Sequence, residues 1–412
     1  MQFDKNKSAF IHQWYPFVEG YSKDFINSIL DEIDYEPILA LDPFAGSGTT
    51  PVEMQDIGLE CYSFEVSPFM HLLATVKLER AYTHEEFQDA LITVGQILNG
   101  PRLPIRSLMP LPNAQTFQPK PHLKKWVFDR TVMDGILDIK YAIKQLEDVK
   151  YRQLFKICLA SILLDVSNTY RDGKSLKYKK NWQDKKTKRR EVHSKFLSRL
   201  VDIIQPDIIE LEKLEFDVNN KSRCIYGDVR QNLALLPDHS IDLVVTSPPY
   251  LNSRDYTDIY IAELWVLDLI NNYDELRALR KRTLRSHVQV RHGEVETVDS
   301  AELESVLNKF EVSNNAHWNK ELIPMIKGYF FDMNTLFTLL KQKMIPGKKI
   351  FFNVANSAYY GIEIQVDEIV AEIALNNGFT VNEIRKARNL KPSSQQKDLI
   401  ESLRETVIVI TS

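Results

Sequence analysis

Cysteine is scarce in this chain. Its 412 residues include three, Cys61, Cys158 and Cys224, with no CxxC pair and no Cys/His spacing. That argues against a disulfide framework and a zinc ligand set, and makes a reducing cytoplasm the expected location. No apolar run approaches the roughly 18 residues that a membrane helix needs. The opening "MQFDKNKSAFIHQWYPF" lacks the apolar stretch and cleavage site of a secretory signal. No membrane partner is therefore expected. His12 and His71 have no metal-type partners in the pattern, so a structural role is expected for both and no metal site. Repeats and low-complexity tracts are also missing.

What is present is a large apolar complement, 44% of residues, enough for a substantial core. The length corresponds to two or three domains' worth of material. The net charge of −4 argues against a nucleic-acid binder, but the charge is segregated. Residues 171–190, "RDGKSLKYKKNWQDKKTKRR", hold ten Lys/Arg against two Asp. Such a local excess matters more than the total. It reads as a mobile solvated loop or as a phosphate contact. Lys174, Lys177, Lys179, Lys180, Lys185, Lys186, Arg189 and Arg190 are the candidates, with Tyr178 and Trp182 interleaved. A second basic patch covers 277–292, with the acidic "GEVETVDSAELE" as its potential ion-pair partner.

The stretch "EPILALDPF" reads as a buried strand, followed by a Gly46–Gly48 turn and a helix with Thr50 and Glu53 placed for a capping box. "ECYSFEVS" is a second strand and "PFMHLLATVKLERA" a second helix. This is the opening of a doubly wound α/β sheet. Helical text then fills 81–220. Strand text resumes with "SRCIYGDV" and "IDLVVTSPPY", and ends with "ETVIVITS".

The glycine turn suits several adenosine ligands. A phosphate loop requires a lysine after Gly48, and a dinucleotide loop a small residue where Pro51 stands. Neither is present. Glu65, at the second strand end, fits a ribose diol or a helix cap. Asp228, at the third, fits an adenine amino group or a cap. In "TSPPY", paired prolines freeze the backbone and leave carbonyls free to accept. Ser247 Oγ and the Pro248 carbonyl can hold an amino group in line with a methyl donor and stabilise the charge it gains. Tyr250 supplies a stacking face for an extruded base. Arg254 and Tyr256, just beyond, fit either a substrate contact or a structural role.

"DPFAGSGTT" together with "TSPPY" resembles the DNA amino-methyltransferase family, which methylates cytosine N4 or adenine N6 from S-adenosyl-L-methionine. The resemblance implies a Rossmann-like methyltransferase sheet with helices on both faces, split by a large, mostly helical insertion and a smaller one. The implied catalytic part is 1–80 with 221–412. The segment 81–220 is the implied target-recognition region, and 252–330 a second insertion with possible DNA contact. The implied cofactor residues are Asp42, Pro43, Phe44, Gly46, Ser47, Gly48, Thr49, Thr50, Glu65, Val66, Asp228 and Val229. Trp14, Tyr15 and Pro16 match the segment that closes over the methionine end. The implied catalytic residues are Ser247, Pro248, Pro249 and Tyr250, with base flipping and no covalent intermediate.

Members of that family with serine in the tetrapeptide more often modify cytosine, so the resemblance implies cytosine N4 in preference to adenine N6. Cytosine C5 chemistry is argued against, because no cysteine follows a proline. An RNA guanine-N2 methyltransferase and a non-catalytic DNA-binding regulator stay open as rivals. The expected partners are double-stranded DNA and a cognate restriction endonuclease, in a prokaryotic cytoplasm at the nucleoid. The oligomeric state and recognition sequence are not legible.

Overall fold

The computed structural model describes residues 6–412 except 7, 18–19, 173–174, 185, 215–219, 253, 292, 294, 314–318 and 394–395. The amino-terminal part runs α1 (Lys23–Glu32), β1 (Leu39–Asp42), α2 (Thr49–Asp56), β2 (Glu60–Glu65), α3 (Pro68–Leu78). A long excursion follows: α4 (His84–Asn99), α5 (Ile105–Leu108), α6 (Arg130–Lys144), α7 (Val149–Val166), β3 (Thr169–Arg171), β4 (Leu176–Tyr178), α8 (Arg189–Arg199) and α9 (Gln205–Leu211). The sheet resumes with β5 (Arg223–Tyr226) and β6 (Ile241–Thr246). It continues through β7 (Met344–Ala355), the small hairpin β8 (Ser357–Tyr359) and β9 (Ile362–Ile364), then β10 (Thr380–Leu390) and β11 (Leu403–Thr411).

Seven strands form the main sheet in the order β10-β11-β7-β6-β1-β2-β5. The links β5-β2-β1-β6-β7 are parallel, and β11 runs antiparallel to both β7 and β10. The expected Rossmann-like sheet is present. β6 is buried at every position, because a central parallel strand is covered on both faces. Successive side chains alternate between those faces. Ala40, Leu243 and Val245 meet Ile26 and Ile29 of α1 and Met54 of α2. Leu41 and Val244 meet the other layer, including Met333, Phe337 and Ile369 from helices Leu322–Lys343 and Val366–Asn376.

Residues 81–220 lie between β2 and β5, two strands that pair directly. Their apolar faces join one cluster with α3, with Ile11–Phe17 and with residues 259–279. The stretch therefore closes against its neighbours rather than around a core of its own. The basic segment, read as a loop, begins at Arg171 at the end of β3 and contains β4, which pairs antiparallel with β3. The expected capping box of α2 is not made. Its N-cap is Gly48 at φ 81°, while Thr50 Oγ1 bonds Tyr21 and Glu53 bonds His12. Among the described residues, no helix is long and apolar enough to cross a membrane.

Candidate functional site

The order in which strands are added reverses between the parallel neighbours β1 and β6, and ligands of open α/β sheets bind beyond the strand ends at such a switch point. The carboxyl ends of β1, β2, β5 and β6 open there into one cavity of about 400 Å³. Pro43, Phe44, Gly46, Ser47, Thr49, Glu65, Val66, Asp228 and Val229 line it, together with Ser247, Pro248, Pro249 and Tyr250. The structure thus brings the glycine turn and the tetrapeptide, about 200 residues apart in sequence, to one space.

The turn after β1 is held from several sides. Thr246 Oγ1 donates to Asp42 Oδ1 at 2.7 Å, and the Phe44 amide donates to the same oxygen at 3.0 Å. Asp42 is buried beneath the cavity and does not line it, so its place is in fixing the turn. Burial pushes its carboxyl upward. Gly46 has φ 51°, and Gly48 has φ 81°. A Cβ on Gly48 would lie 2.9 Å from Ala74 Cβ, so that glycine serves the approach of α3 to the turn. Buried Lys77 donates to the Ser47 carbonyl at 3.0 Å, and desolvation lowers its ammonium to about 7.

Glu65 receives the Gly46 amide at 2.9 Å and the Ser67 amide at 2.7 Å. Burial outweighs those bonds and lifts its carboxyl to about 7. Asp228 caps the turn after β5, accepting the Arg230 amide at 2.9 Å and its guanidinium at 2.6 Å. Arg230 also reaches Asp332 at 2.6 Å. Asp228 therefore makes the cap weighed for it, Glu65 instead bonds the amide of Ser67 just ahead of α3, and both residues still line the cavity.

Trp14 and Tyr15 are displaced from their expected place. The Trp14 indole donates to Asp207 at 2.8 Å, and the Tyr15 hydroxyl to Glu263 at 2.7 Å, both inside the helical cluster. Pro16 is exposed. Neighbouring Phe17, Gly20 and Tyr21 line the cavity instead. Thr50 is likewise buried off the cavity, bonded to Tyr21.

The tetrapeptide follows β6 directly. Ser247 Oγ donates to the Tyr250 hydroxyl at 3.3 Å, and Tyr250 donates to Glu405 of β11. Asn353 of β7 donates to the Tyr250 hydroxyl at 2.8 Å and lies 3.3 Å from Ser247 Oγ. Arg388 of β10 pairs with Glu405. Burial and the Glu405 charge hold the Tyr250 phenol well above its ordinary range. None of Asn353, Arg388 and Glu405 was found from the sequence. The available signal was one amide inside the apolar "IFFNVA" and one acid opening "ETVIVI".

The basic segment divides. Lys179 donates to the Leu164 and Ser167 carbonyls at 2.6 and 2.7 Å, closing the end of α7. Arg189 pairs with Asp138, and Lys177 with Asp172 at 2.6 Å. Trp182 is buried edge-on to Trp126 at 4.9 Å, with Tyr178 beside it, so these aromatics form a small core. Lys180, Lys186 and Arg190 are exposed. Lys174 and Lys185 lie outside the described residues. In the second patch, Arg280 pairs with Asp255 and Asp258, and Arg285 with Asp332; its described ion pairs do not use the acidic stretch that follows. Arg254 lines the cavity, and its buried Nε has no hydrogen-bond partner in the structure. His71 bonds the Cys224 carbonyl at 3.1 Å and His12 bonds Glu53 at 2.8 Å, both as structural contacts. No cluster of metal-ligand type occurs among the described residues.

Comparison with protein-family models finds no match. Among characterised proteins, the chain is 24% identical to Type II methyltransferase M.BsoBI of Geobacillus stearothermophilus, over 96% of this chain and 84% of that protein. It is 26% identical to Type II methyltransferase M.AvaI of Anabaena variabilis, over 96% and 85%. Type II methyltransferase M.MvaI of Kocuria varians is 23% identical over 89% of this chain and 82% of its own. Among solved structures, the rRNA methyltransferase aviRa of Streptomyces viridochromogenes aligns over 98% of this chain and 92% of its own, with 10% identity and a TM-score of 0.27. That structural likeness is too slight to carry an argument. The sequence relatives extend the methyltransferase resemblance from two motifs to nearly the whole chain.

Proposed function

We propose that this chain methylates DNA. It takes the methyl of S-adenosyl-L-methionine and places it on the exocyclic amino group of an extruded base, cytosine N4 in preference to adenine N6. It would act as the modification partner of a restriction endonuclease. The observation that carries this reading is the sharing of one cavity by the glycine turn and Ser247–Tyr250. The type II methyltransferase relatives, aligned over nearly the whole chain, support it.

The donor set fits the cofactor. Glu65 suits a ribose diol and Asp228 an adenine amino group, while the open Gly46–Ser47 backbone allows close approach without a phosphate-binding lysine. Phe17 and Tyr21 border the same space. When bound there, the cofactor supplies an electrophilic methyl on its sulfonium.

The residues around the target amine do the rest. An exocyclic amine is conjugated and weakly nucleophilic. Ser247 Oγ and the Pro248 carbonyl accept its hydrogens, fix its direction and stabilise the positive charge that develops during attack. Tyr250 presents a ring for the extruded base. Lys180, Lys186, Arg190 and Arg254 are the cations proposed to meet phosphates. Segment 81–220 would supply target recognition, and 252–330 a further contact with the DNA.

Sequencing of modified bases in DNA from an expressing host tests the reading. N4-methylcytosine at one motif is the expected result. N6-methyladenine would replace the base assignment. Label transferred to RNA but not to duplex DNA would overturn the substrate class. Unmodified nucleic acid alongside sequence-specific DNA binding would favour the regulator.

A further inference from the structure

Two residues outside the tetrapeptide sit where they can set its hydrogen-bond polarity. The order of donation is fixed by chemistry. Glu405 is an acceptor at the end of the chain of bonds, ion-paired with Arg388. Its Oε1 accepts the Tyr250 hydroxyl hydrogen. The Tyr250 oxygen is then left to accept, and it receives Ser247 Oγ–H at 3.3 Å and Asn353 Nδ2–H at 2.8 Å.

The Asn353 amide has one workable orientation. Its Nδ2 lies 3.4 Å from Glu405 Oε1 and 3.3 Å from Ser247 Oγ, both acceptors. Turned over, the amide would set Oδ1 against the Glu405 carboxylate. The orientation found leaves Asn353 Oδ1 buried without a partner, a cost that the hydrogen bonds of Nδ2 offset.

We infer that Asn353 and Glu405 are positioning residues that hold Ser247 as an acceptor and clamp Tyr250 by its hydroxyl. With its own hydrogen committed to Tyr250 and one lone pair facing Asn353, Ser247 keeps a lone pair for the N–H of the target base. Without Glu405, the Tyr250 hydroxyl is free to turn and donate to Ser247, which would occupy that lone pair. The phenol stays protonated at all working pH values, as the chain of donation requires. This inference rests on the reading of Ser247–Tyr250 as the cradle for an amine.

The test is a double-mutant cycle in the full chain, with tritiated-methyl transfer to duplex DNA and binding of S-adenosylhomocysteine as readouts. Glu405→Gln and Tyr250→Phe are each expected to lower kcat by about ten- to a hundredfold, less than the roughly hundred- to thousandfold that follows removal of a group in direct contact with the developing charge. KM for the cofactor and binding of S-adenosylhomocysteine should stay within about twofold, as expected when the change acts on the transition state alone. In the Tyr250→Phe background, Glu405→Gln should cost little more, because the two act through one hydroxyl.

Additive losses, or a Glu405→Gln variant with unchanged kcat, would overturn the inference while leaving the function intact. If Glu405→Gln loses S-adenosylhomocysteine binding through misfolding, Tyr250→Phe with Asn353→Ala provides the second cycle under the same criterion. No methyl transfer to DNA by the unaltered chain would remove the functional reading, and this inference with it.

Discussion

The Gly46 amide donates to Glu65 Oε2 at 2.9 Å, so the turn after β1 and the acid at the end of β2 form one hydrogen-bonded unit. Any ligand that draws on Glu65 also meets the backbone of the turn.

That relationship gives a pH dependence. The Glu65 carboxyl stands at about 7 in the free protein because burial disfavours its charge. Ribose hydroxyls donate to the ionised form. Cofactor binding should therefore be strongest above pH 7 and weaken as the pH falls, by up to about tenfold per unit. Titration with S-adenosylhomocysteine between about pH 5.5 and about pH 8.5 checks this, with Glu65→Gln as the control that should be weak and flat. Equal affinity across that range for the unaltered protein would dismiss the role.

The two glycines of the turn should separate in their effects. Gly48→Ala forces a Cβ to 2.9 Å from Ala74 at positive φ. A stability loss of about 1–3 kcal/mol is expected in urea denaturation. Gly46→Ala meets no atom closer than Phe17 at 3.6 Å. Its stability loss should be the smaller, and its loss of cofactor affinity the larger. The reverse ranking would mean that the turn is organised differently.

Lys77 is buried at the foot of the turn and lowered to about 7, against 10.5 for an ordinary lysine. Between those values the unfolded chain holds a proton that the native one lacks, so stability rises with pH. The slope from this group is at most about 1.4 kcal/mol per unit. Lys77→Met should flatten the profile of unfolding free energy between about pH 7.5 and about pH 9.5. Parallel profiles for the two proteins would refute this.

The basic segment should divide in the same way under mutation. Lys179→Ala removes the donor that closes α7 and should cost about 1 kcal/mol of stability with little change in DNA affinity. Lys180→Ala, Lys186→Ala and Arg190→Ala together should leave stability unchanged and weaken DNA binding. The slope of log affinity against log salt should fall by about 0.9 for each phosphate that is no longer neutralised. An unaltered salt slope would place the DNA elsewhere.

The sheet was legible because burial on both faces makes β1 and β6 mostly apolar, with Asp242 the one acid inside β6, and both runs end in turn chemistry. The cavity wall was legible for a related reason, since Gly46 and Ser247–Tyr250 sit where backbone shape dictates residue type. Charge gave less. Lys179 and Lys180 are adjacent and identical in type, yet one caps a helix and the other is exposed. Which lysine finds a carbonyl depends on how the chain turns at β4, and no pattern of charges states that. Asn353 and Glu405 were missed because each acts across strands. Their meaning lies in the register that sets β11 between β7 and β10. Trp14 and Tyr15 were misplaced by a few residues, enough to move them from the cavity into the helical core.

The Tyr250–Glu405 hydrogen bond spans 155 residues of chain. A ribosome has therefore released the glycine turn, both acids and the whole tetrapeptide long before the strand that steadies them exists. Loop closure over so long a separation comes late in folding. Synthesis order and geometry together make β11 the last part of the cavity wall to arrive, so the finished hydrogen-bond chain marks a completed cavity.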